Sequence, residues 1–287
     1  MTAPQRPLLG IALVVLATLT FSVADVLTKK LTLIHSVSVI VAVRYAVNLL
    51  AVTAVMAPRQ KSDLWRMTRP GLVLLRGLCL AFASLTMAIA LRWMPVGETV
   101  AIIYLAPFIV LLASGPLLGE KVNSSAWIGA AIGFAGVLLI MRPGSGLHPF
   151  GVTMALINVG FSTAYHLLTR LLSRTEKTSA LLWHTAWIGT LFFGIGTFFD
   201  PTPVAISLGD FGMMAALGIL AAAGHGLFTS AYREAPPALL APVNYIHLVW
   251  AGLLGWVVFH HVPDPWAITG IGLVCVAGIW AAVMRGR

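Results

Sequence analysis

The sequence predicts an all-α integral membrane protein with ten transmembrane helices, arranged as two inverted five-helix repeats. Three observations predict this fold: an apolar composition, ten apolar segments of membrane-spanning length, and an internal similarity between the two halves. Of the 287 residues, 59% are hydrophobic and only 9% are charged, whereas roughly a quarter of the residues of a soluble domain are charged. A water-soluble fold of this length could not bury so much apolar surface.

About 20 mostly apolar residues allow a helix to cross the hydrocarbon core with its backbone hydrogen bonds satisfied internally. The connections between such segments are short here, which leaves no extramembrane domain to hold a soluble active site. The first segment lacks a small-residue cleavage site, so we expect a span rather than a cleaved signal peptide. The ten predicted spans are residues 8–28, 36–57, 71–91, 95–118, 124–141, 150–170, 179–199, 208–232, 236–259 and 265–284.

The distribution of basic residues predicts the orientation of the chain. The net charge is +9, which in a soluble protein would suggest nucleic-acid binding. Here the basic residues flank the apolar segments, and in a ten-span layout one side has only Lys29, Lys30, Arg92 and Arg142. Since cytoplasmic loops carry the excess of Lys and Arg, we predict both termini in the cytoplasm and a location in the bacterial inner membrane, with no nucleic-acid partner.

The two halves of the chain resemble each other. Residues 21–24 (Phe-Ser-Val-Ala) match residues 161–164 (Phe-Ser-Thr-Ala), and Tyr104 falls opposite Tyr245. Because each half has five spans, an odd number, the halves must enter the membrane in opposite senses. Inverted repeats recur in secondary transporters, which hold the substrate near the midplane. The predicted halves are residues 1–143 and 148–287.

Specific motifs point to a family. The segment from Pro95 to Val122, with Pro107 and a closing Gly119-Glu120, resembles the fourth-span motif of EamA-type proteins of the drug/metabolite transporter superfamily. The resemblance covers essentially the whole chain, although His260-His261 stands where a Gly-Glu pair is expected in the second half. It implies export of amino acids or other small amphiphilic metabolites, and among subgroups the chain is most similar to YddG-type amino-acid exporters.

Polar side chains within spans are costly, so they tend to face the bundle interior or a water-filled cavity. Such residues occur in corresponding places in the first and sixth spans and in the fourth and ninth. Interhelical hydrogen bonding is the alternative role, and the pattern leaves both open. The predicted substrate-binding residues are Ser22, Asp25, Tyr104, Ser162, Tyr165, His166, Trp187, His225, Phe228, Asn244 and Tyr245.

Charged residues in or near the spans have separate interpretations. Asp25 is the one carboxylate predicted well inside a span, which makes it the candidate proton acceptor if transport is coupled. Arg44 needs partners, which helix carbonyls or Asp25 could supply, and a substrate carboxylate is the alternative. Arg76 lies close enough to the inner face for its guanidinium to extend there. The loop residues His260, His261 and Asp264 lack a fourth ligand at useful spacing, so no metal site is predicted.

Other functional classes are weaker alternatives. A membrane enzyme would need clustered carboxylates or histidines, and no nucleotide-binding or hydrolase motif is present, so we predict no catalytic residue and no cofactor. A carrier of nucleosides or drugs and a noncatalytic scaffold or sensor remain alternatives. The partners expected are a small-molecule substrate and the lipid bilayer. Gly129 and Gly133 suit a close helix seam, within the chain or in a homodimer, and the fifth and tenth spans are predicted to be peripheral.

Overall fold

The computed structural model describes residues 6–60, 64–118, 124–142, 144–173, 175–200, 205–235, 239–240 and 243–284. Within these residues the fold has eleven helices of at least eight residues and no β-strand. Gly119-Glu120, the end of the family-like motif, lies outside the described residues. The helices are α1 (Pro7–Thr32), α2 (Val37–Gln60), α3 (Pro70–Trp93), α4 (Val96–Ile103), α5 (Ala106–Leu118), α6 (Ser124–Ile140), α7 (Pro149–Leu172), α8 (Thr178–Phe198), α9 (Leu208–Glu234), α10 (Ile246–Phe259) and α11 (Pro265–Met284).

Six of these helices are long and apolar enough to cross a membrane: α1, α2, α3, α7, α8 and α9. The remaining predicted spans contain shorter apolar helices, residues 96–110, 127–140, 246–259 and 265–280. Proline starts α1, α3, α7 and α11, where its missing N–H would be unpaired in any case. The chain is an all-helical, multi-pass membrane protein.

The fourth and ninth predicted spans are not continuous helices. α4 ends at Ile103, and a turn at Tyr104 and Leu105 connects it to α5. Pro107 supports this break because proline lacks an N–H and clashes with the preceding turn. In the second half, Asn244 and Tyr245 form a turn immediately before α10. Each break frees backbone carbonyls that a continuous helix would use internally.

The helices pack in matching pairs. α1 packs extensively on α9, and α3 packs on α7 in the same way. α2 contacts α8 and α9, α8 also contacts α3, and α10 lies against α1 and α4. The polar segments of α1, the α4 break and α10 are therefore brought to one place inside the bundle.

α6 and α11 pack mainly on each other. Their backbones approach closely, because a Cβ atom placed on Gly136 would lie 2.6 Å from the carbonyl oxygen of Gly270. A Cβ on Gly133 would lie 2.6 Å from the Phe108 ring. Gly133 and Gly136 thus make close contacts within the chain.

Side chains tie the loops to helix starts at the ends of the bundle. Glu176 accepts hydrogen bonds from the backbone N–H groups of Thr68 (3.0 Å) and Arg69 (2.8 Å), just before α3. His35, in the loop between α1 and α2, pairs with Asp210 in the first turn of α9 at 3.0 Å. A carboxylate near a helix N-terminus is favourable because unpaired N–H groups and the helix dipole lie there.

Candidate functional site

His247 is the centre of a hydrogen-bonded cluster that joins α1, the α4 break and the start of α10. Its Nε2 lies 3.1 Å from Asp25 Oδ2, and its Nδ1 lies 3.2 Å from the Tyr104 hydroxyl. That hydroxyl donates to the carbonyl oxygen of Asn244 at 3.0 Å, and the Ser22 hydroxyl donates to the carbonyl oxygen of His247 at 3.3 Å. We call these five residues the His247 cluster.

The number of protons in the His247 cluster follows from its donors and acceptors. The Asn244 carbonyl also accepts from the backbone N–H of His247 at 3.1 Å. When the Tyr104 hydroxyl donates to Asn244, His247 Nδ1 donates to the Tyr104 oxygen. The bond to Asp25 is then made either by an imidazolium and a carboxylate or by a neutral imidazole and a carboxylic acid. Both arrangements hold one proton more than a neutral histidine with an ionised aspartate. Removing that proton leaves one of the three hydrogen bonds among Asp25, His247, Tyr104 and Asn244 unmade.

The His247 cluster is enclosed but not sealed. The side chain of Asp25 is 16% exposed and that of His247 is 13% exposed, so both are partly accessible. The Phe21 ring lies 6.3 Å from the His247 ring, 5.4 Å from His225 and 6.2 Å from Phe228. The buried side-chain oxygen of Asn244 has no hydrogen-bond partner among the described residues. A substrate donor group at this position would satisfy it.

Tyr245 forms the packed wall behind the cluster. Its ring centroid lies 5.2 Å from that of Tyr104, and its side chain is buried. A Cβ atom on Gly278 of α11 would overlap the Tyr245 ring. α11 therefore positions Tyr245, and through it Tyr104, by close backbone approach.

Arg76 organises a second polar cluster, between α3, α7 and α8. Its side chain donates to Thr169 Oγ1 (2.7 Å), the carbonyl oxygen of Leu181 (3.0 Å), Thr185 Oγ1 (2.6 Å) and the Tyr165 hydroxyl (2.9 Å). The residue is only 2% exposed. The prediction that its guanidinium extends to the inner face is wrong, because side chains of α7 and α8 satisfy its fixed fork of donors within the bundle.

The other predicted residues of α7 take part in helix contacts. Ser162 Oγ donates to Asn158 Oδ1 at 3.0 Å, and Asn158 Nδ2 donates to the carbonyl oxygen of Ala83 in α3 at 2.6 Å. His166 lies against Tyr165, with ring centroids 5.2 Å apart. Asn158 thus bonds α7 to α3, whereas Ser162 bonds within its own helix.

Arg44 and Trp187 are engaged away from the His247 cluster. Arg44 Nη2 donates to Ser84 Oγ at 3.2 Å, so its hydrogen-bond partner is a serine of α3 rather than Asp25. Trp187 Nε1 donates to His184 Nδ1 at 2.7 Å, and His184 Nε2 lies 3.2 Å from the carbonyl oxygen of Trp65. Trp187 thus belongs to an aromatic contact between α8 and the segment before α3.

The structure divides the predicted binding residues into groups. Phe21 links His225 and Phe228 to the first group. This group comprises Ser22, Asp25, Tyr104, Asn244 and Tyr245. Ser162, Tyr165 and His166 lie together on α7 against α3. His247 and Arg76 are absent from the predicted set although they are the centres of the two clusters; the polar run that includes Asn244 and Tyr245 was the available signal for His247.

Two of the loop residues considered as metal ligands, His261 and Asp264, are paired with other side chains. His261 Nε2 lies 2.7 Å from Glu98 Oε1, and Arg142 Nη2 lies 3.0 Å from Asp264 Oδ2. The hydrogen bond from Arg142 holds the pKa of the Asp264 carboxyl below its usual range. In the part of the chain that the structure describes, no group of three or more His, Cys, Asp or Glu residues is arranged to hold a metal ion.

Comparisons with known proteins agree with this architecture. The EamA-like transporter family model matches twice, over residues 8–142 and 149–284. The chain is 26% identical over 271 residues to the pseudopaline exporter CntI of Pseudomonas aeruginosa, covering 94% of each protein. It is 26% identical over 252 residues to the riboflavin transporter of Brucella anthropi, covering 85% of this chain and 87% of that one.

A solved crystal structure shares the fold, with a TM-score of 0.70 at 19% identity and 98% of both chains covered. The two family matches together span nearly all of the helical bundle described above. The chain therefore belongs to the EamA-like transporter family.

Proposed function

We propose that this protein is a proton-coupled secondary transporter that exports a small amphiphilic metabolite through the cell inner membrane. The observation that carries the proposal is the His247 cluster, which joins three helical segments through bonds that are complete only with one added proton. A carboxylate within a span is costly, so its presence there indicates a function. Proton binding at Asp25 and His247 would therefore change how firmly α10 is held to α1 and α4.

The proposed transport cycle uses two inverted five-span halves, residues 1–143 and 148–287, with both termini in the cytoplasm. Three observations support these halves: the family model matches each of them, the pairing of α1 with α9 repeats as that of α3 with α7, and both halves have a break in a helix. Such halves alternate access by rocking around a midplane site. The substrate would lie beside Phe21, His225 and the unpartnered oxygen of Asn244.

The sequence led us to expect export of amino acids, and the relatives do not support that substrate class. The two relatives are named for pseudopaline and riboflavin, and neither name supports free amino acids or YddG-type specificity. We therefore propose a larger amphiphilic metabolite with polar groups and an apolar or aromatic part. The aromatic side chains around the His247 cluster suit the apolar part, and nucleosides or drugs remain the alternative cargo.

The proposed order of events follows from the proton count. With the proton bound, the three bonds among Asp25, His247, Tyr104 and Asn244 join the bond from Ser22 in holding α10 against α1 and α4. Loss of the proton removes one bond and frees the cluster for the substrate. The halves change their relative position with either the proton or the substrate bound, so a proton that enters and is released inside drives substrate outward.

Flux measurements in proteoliposomes test the proposal. Vesicles containing the purified protein are given an imposed pH gradient, and movement of riboflavin and of a panel of labelled amino acids is followed. We expect gradient-dependent flux of the larger amphiphile and little flux of the amino acids. Flux that is the same with and without the gradient would contradict coupling, and flux of amino acids alone would contradict the proposed substrate class.

A further inference from the structure

A second polar cavity lies at the end of the bundle where α1, α3 and α10 end and α4 begins. Its volume is about 410 Å³, and its walls include Lys29, Trp93, Glu98, Phe259 and His261. None of these residues belongs to the His247 cluster. The cavity lies at the face that the charge distribution predicts to be extracellular, and its volume is in the usual range of small-molecule sites, roughly 300 to 1,000 Å³.

Glu98 supplies a buried negative group with unused acceptor capacity. The residue is 3% exposed, and its Oε1 lies 2.7 Å from His261 Nε2. Its Oε2 is buried and has no hydrogen-bond partner among the described residues. A carboxylate can accept about four hydrogen bonds, and a buried acceptor without a partner costs free energy. Glu98 is therefore suited to a ligand that brings a donor group.

Lys29 supplies the matching positive group. Its Nζ donates to the carbonyl oxygens of Leu91 (2.8 Å) and Met94 (2.7 Å), at the end of α3. An ammonium has three N–H donors, so these two carbonyls leave one, and Nζ also lies 5.5 Å from the centroid of the Phe259 ring. Lys29 and Glu98 attract each other electrostatically, but no salt bridge joins them. The cavity thus has two opposite charges, each with an unused hydrogen-bonding position.

The remaining walls leave room for an organic ligand. Trp93 and Phe259 provide aromatic surface, and Gly252 has no atom within 4 Å of the place where a Cβ would lie. His261 is the easily displaced member of its pair, because its side chain is 42% exposed while that of Glu98 is 4% exposed. An incoming amine could therefore replace His261 on the Glu98 carboxylate at small cost.

We propose that this cavity binds a zwitterion that carries a protonated amine and a carboxylate. The amine donates to Glu98, the carboxylate accepts from the free N–H of Lys29, and the carbon skeleton contacts Phe259 and Trp93. The proposal rests on the proposed transport function, because the cavity would be a second station for the same substrate on its way out. It adds that the preferred cargo has both an amine and a carboxylate, so riboflavin, which has neither group, tests the proposed transport but not this cavity.

Three probes of matched shape separate the contributions of the two charges. These are 4-(aminomethyl)benzoate, which is a zwitterion, benzylamine, which has only the amine, and benzoate, which has only the carboxylate. Binding to the full chain in lipid nanodiscs is measured by titration calorimetry at pH 7. Each probe with a single charge lacks one hydrogen bond to a charged group, so we expect the zwitterion to bind at least about tenfold more tightly than either of them.

Variants of the two residues complete the test. Glu98→Gln keeps the side-chain shape and should weaken zwitterion binding about tenfold, leaving benzoate binding unchanged. Lys29→Met should weaken zwitterion binding similarly, but it also removes the cap of α3, so Glu98→Gln and the probe comparison decide the question if that variant does not fold. Asp210→Asn, a carboxylate paired with His35, is the control and should bind as the parent does.

The results separate failure of this site from failure of the transport proposal. Equal binding of the zwitterion and benzylamine, or an unchanged zwitterion affinity in Glu98→Gln, would overturn the site. A protein that shows gradient-dependent flux but binds none of the three probes would overturn the site alone. A protein that binds the zwitterion through Glu98 but transports nothing would support the site and contradict the proposed transport function.

Discussion

The hydroxyl of Tyr104 donates to the carbonyl oxygen of Asn244 at 3.0 Å, although 140 residues of chain separate them. Each residue lies at a break in its own helix, where backbone groups are left without helical partners. The Tyr104 side chain therefore joins the two breaks, as a second donor to a carbonyl that also accepts from the backbone N–H of His247 at 3.1 Å. Because His247 lies one turn beyond Asn244 and contacts the same hydroxyl at 3.2 Å, the protonation state of His247 and Asp25 is linked to the contact between the breaks.

Replacing Asp25 by asparagine should uncouple transport from the pH gradient. Asparagine keeps the size of the side chain but cannot exchange a proton, so substrate binding should remain. In proteoliposomes, we expect the ratio of flux with and without the gradient to fall to about 1, since the ionisable carboxylate within the span is gone. The control is Asp210→Asn, which removes the other His–Asp pair and should keep the response. Full gradient dependence in Asp25→Asn would remove Asp25 from the coupling step.

Tyr104→Phe should change the pH dependence of flux without unfolding the protein. The substitution deletes the hydroxyl that bonds to both Asn244 and His247, and leaves His247 Nδ1 without that partner, at a cost of about 1 to 3 kcal/mol. The Asn244 carbonyl keeps its bond from the backbone N–H of His247 at 3.1 Å. Flux between pH 5.5 and 8.5 and thermal unfolding would be measured together. Tyr45→Phe is the matched control, because its hydroxyl bonds to Ser84 at 2.8 Å and should affect stability alone. An unchanged pH profile in Tyr104→Phe would contradict the role of the cluster.

Ser162→Trp should block transport if Ser162 faces the substrate path. Ser162 is partly exposed and bonds only to Asn158 of its own helix among the contacts described. Added bulk at a water-facing position should leave folding near normal, whereas at a packed position it would cost about 1 to 3 kcal/mol. The control on the same helix is Thr153→Trp, at an exposed position. Normal flux with Ser162→Trp would place the substrate elsewhere.

Gly278→Ala should destabilise the protein, whereas Gly272→Ala on the same helix should not. A Cβ at Gly278 would overlap the Tyr245 ring, but a Cβ at Gly272 meets no atom within 4 Å. Overpacking costs about 1 to 3 kcal/mol, while alanine at an open helical position gains about 0.5 to 1 kcal/mol over glycine. Thermal unfolding in detergent measures both effects. Equal melting temperatures would contradict the close approach of α11 to Tyr245.

The predicted orientation can be tested by labelling single cysteines in a cysteine-free background. Cysteine at Ser145 should react with an impermeant reagent in intact cells, because the loop between α6 and α7 is predicted to face outward. Cysteine at Thr175 should react only after the inner face is opened, as the excess of basic residues on that side implies. The reverse pattern would contradict the cytoplasmic placement of both termini.

Several properties of this protein are determined by its sequence alone. Membrane insertion follows from local composition, because six helices are long and apolar enough to span the hydrocarbon core by themselves. The motif around Pro95 and Pro107 predicted the family, which the two family matches confirm. Asp25 and Tyr104 were recognisable as candidates because polar groups within spans are costly wherever they occur.

Only the tertiary structure decided which of these polar groups meet. Asp25 pairs with His247, which lies 222 positions away in the sequence, and Arg76 bonds to Thr185, 109 positions away. No local pattern of the sequence could identify either partner. The same applies to Glu98, whose unpaired oxygen is visible only once α1, α4 and α10 are placed together. The physical reason is that apolarity acts on each segment separately, whereas hydrogen bonds and ion pairs depend on distances that exist only after the helices have packed.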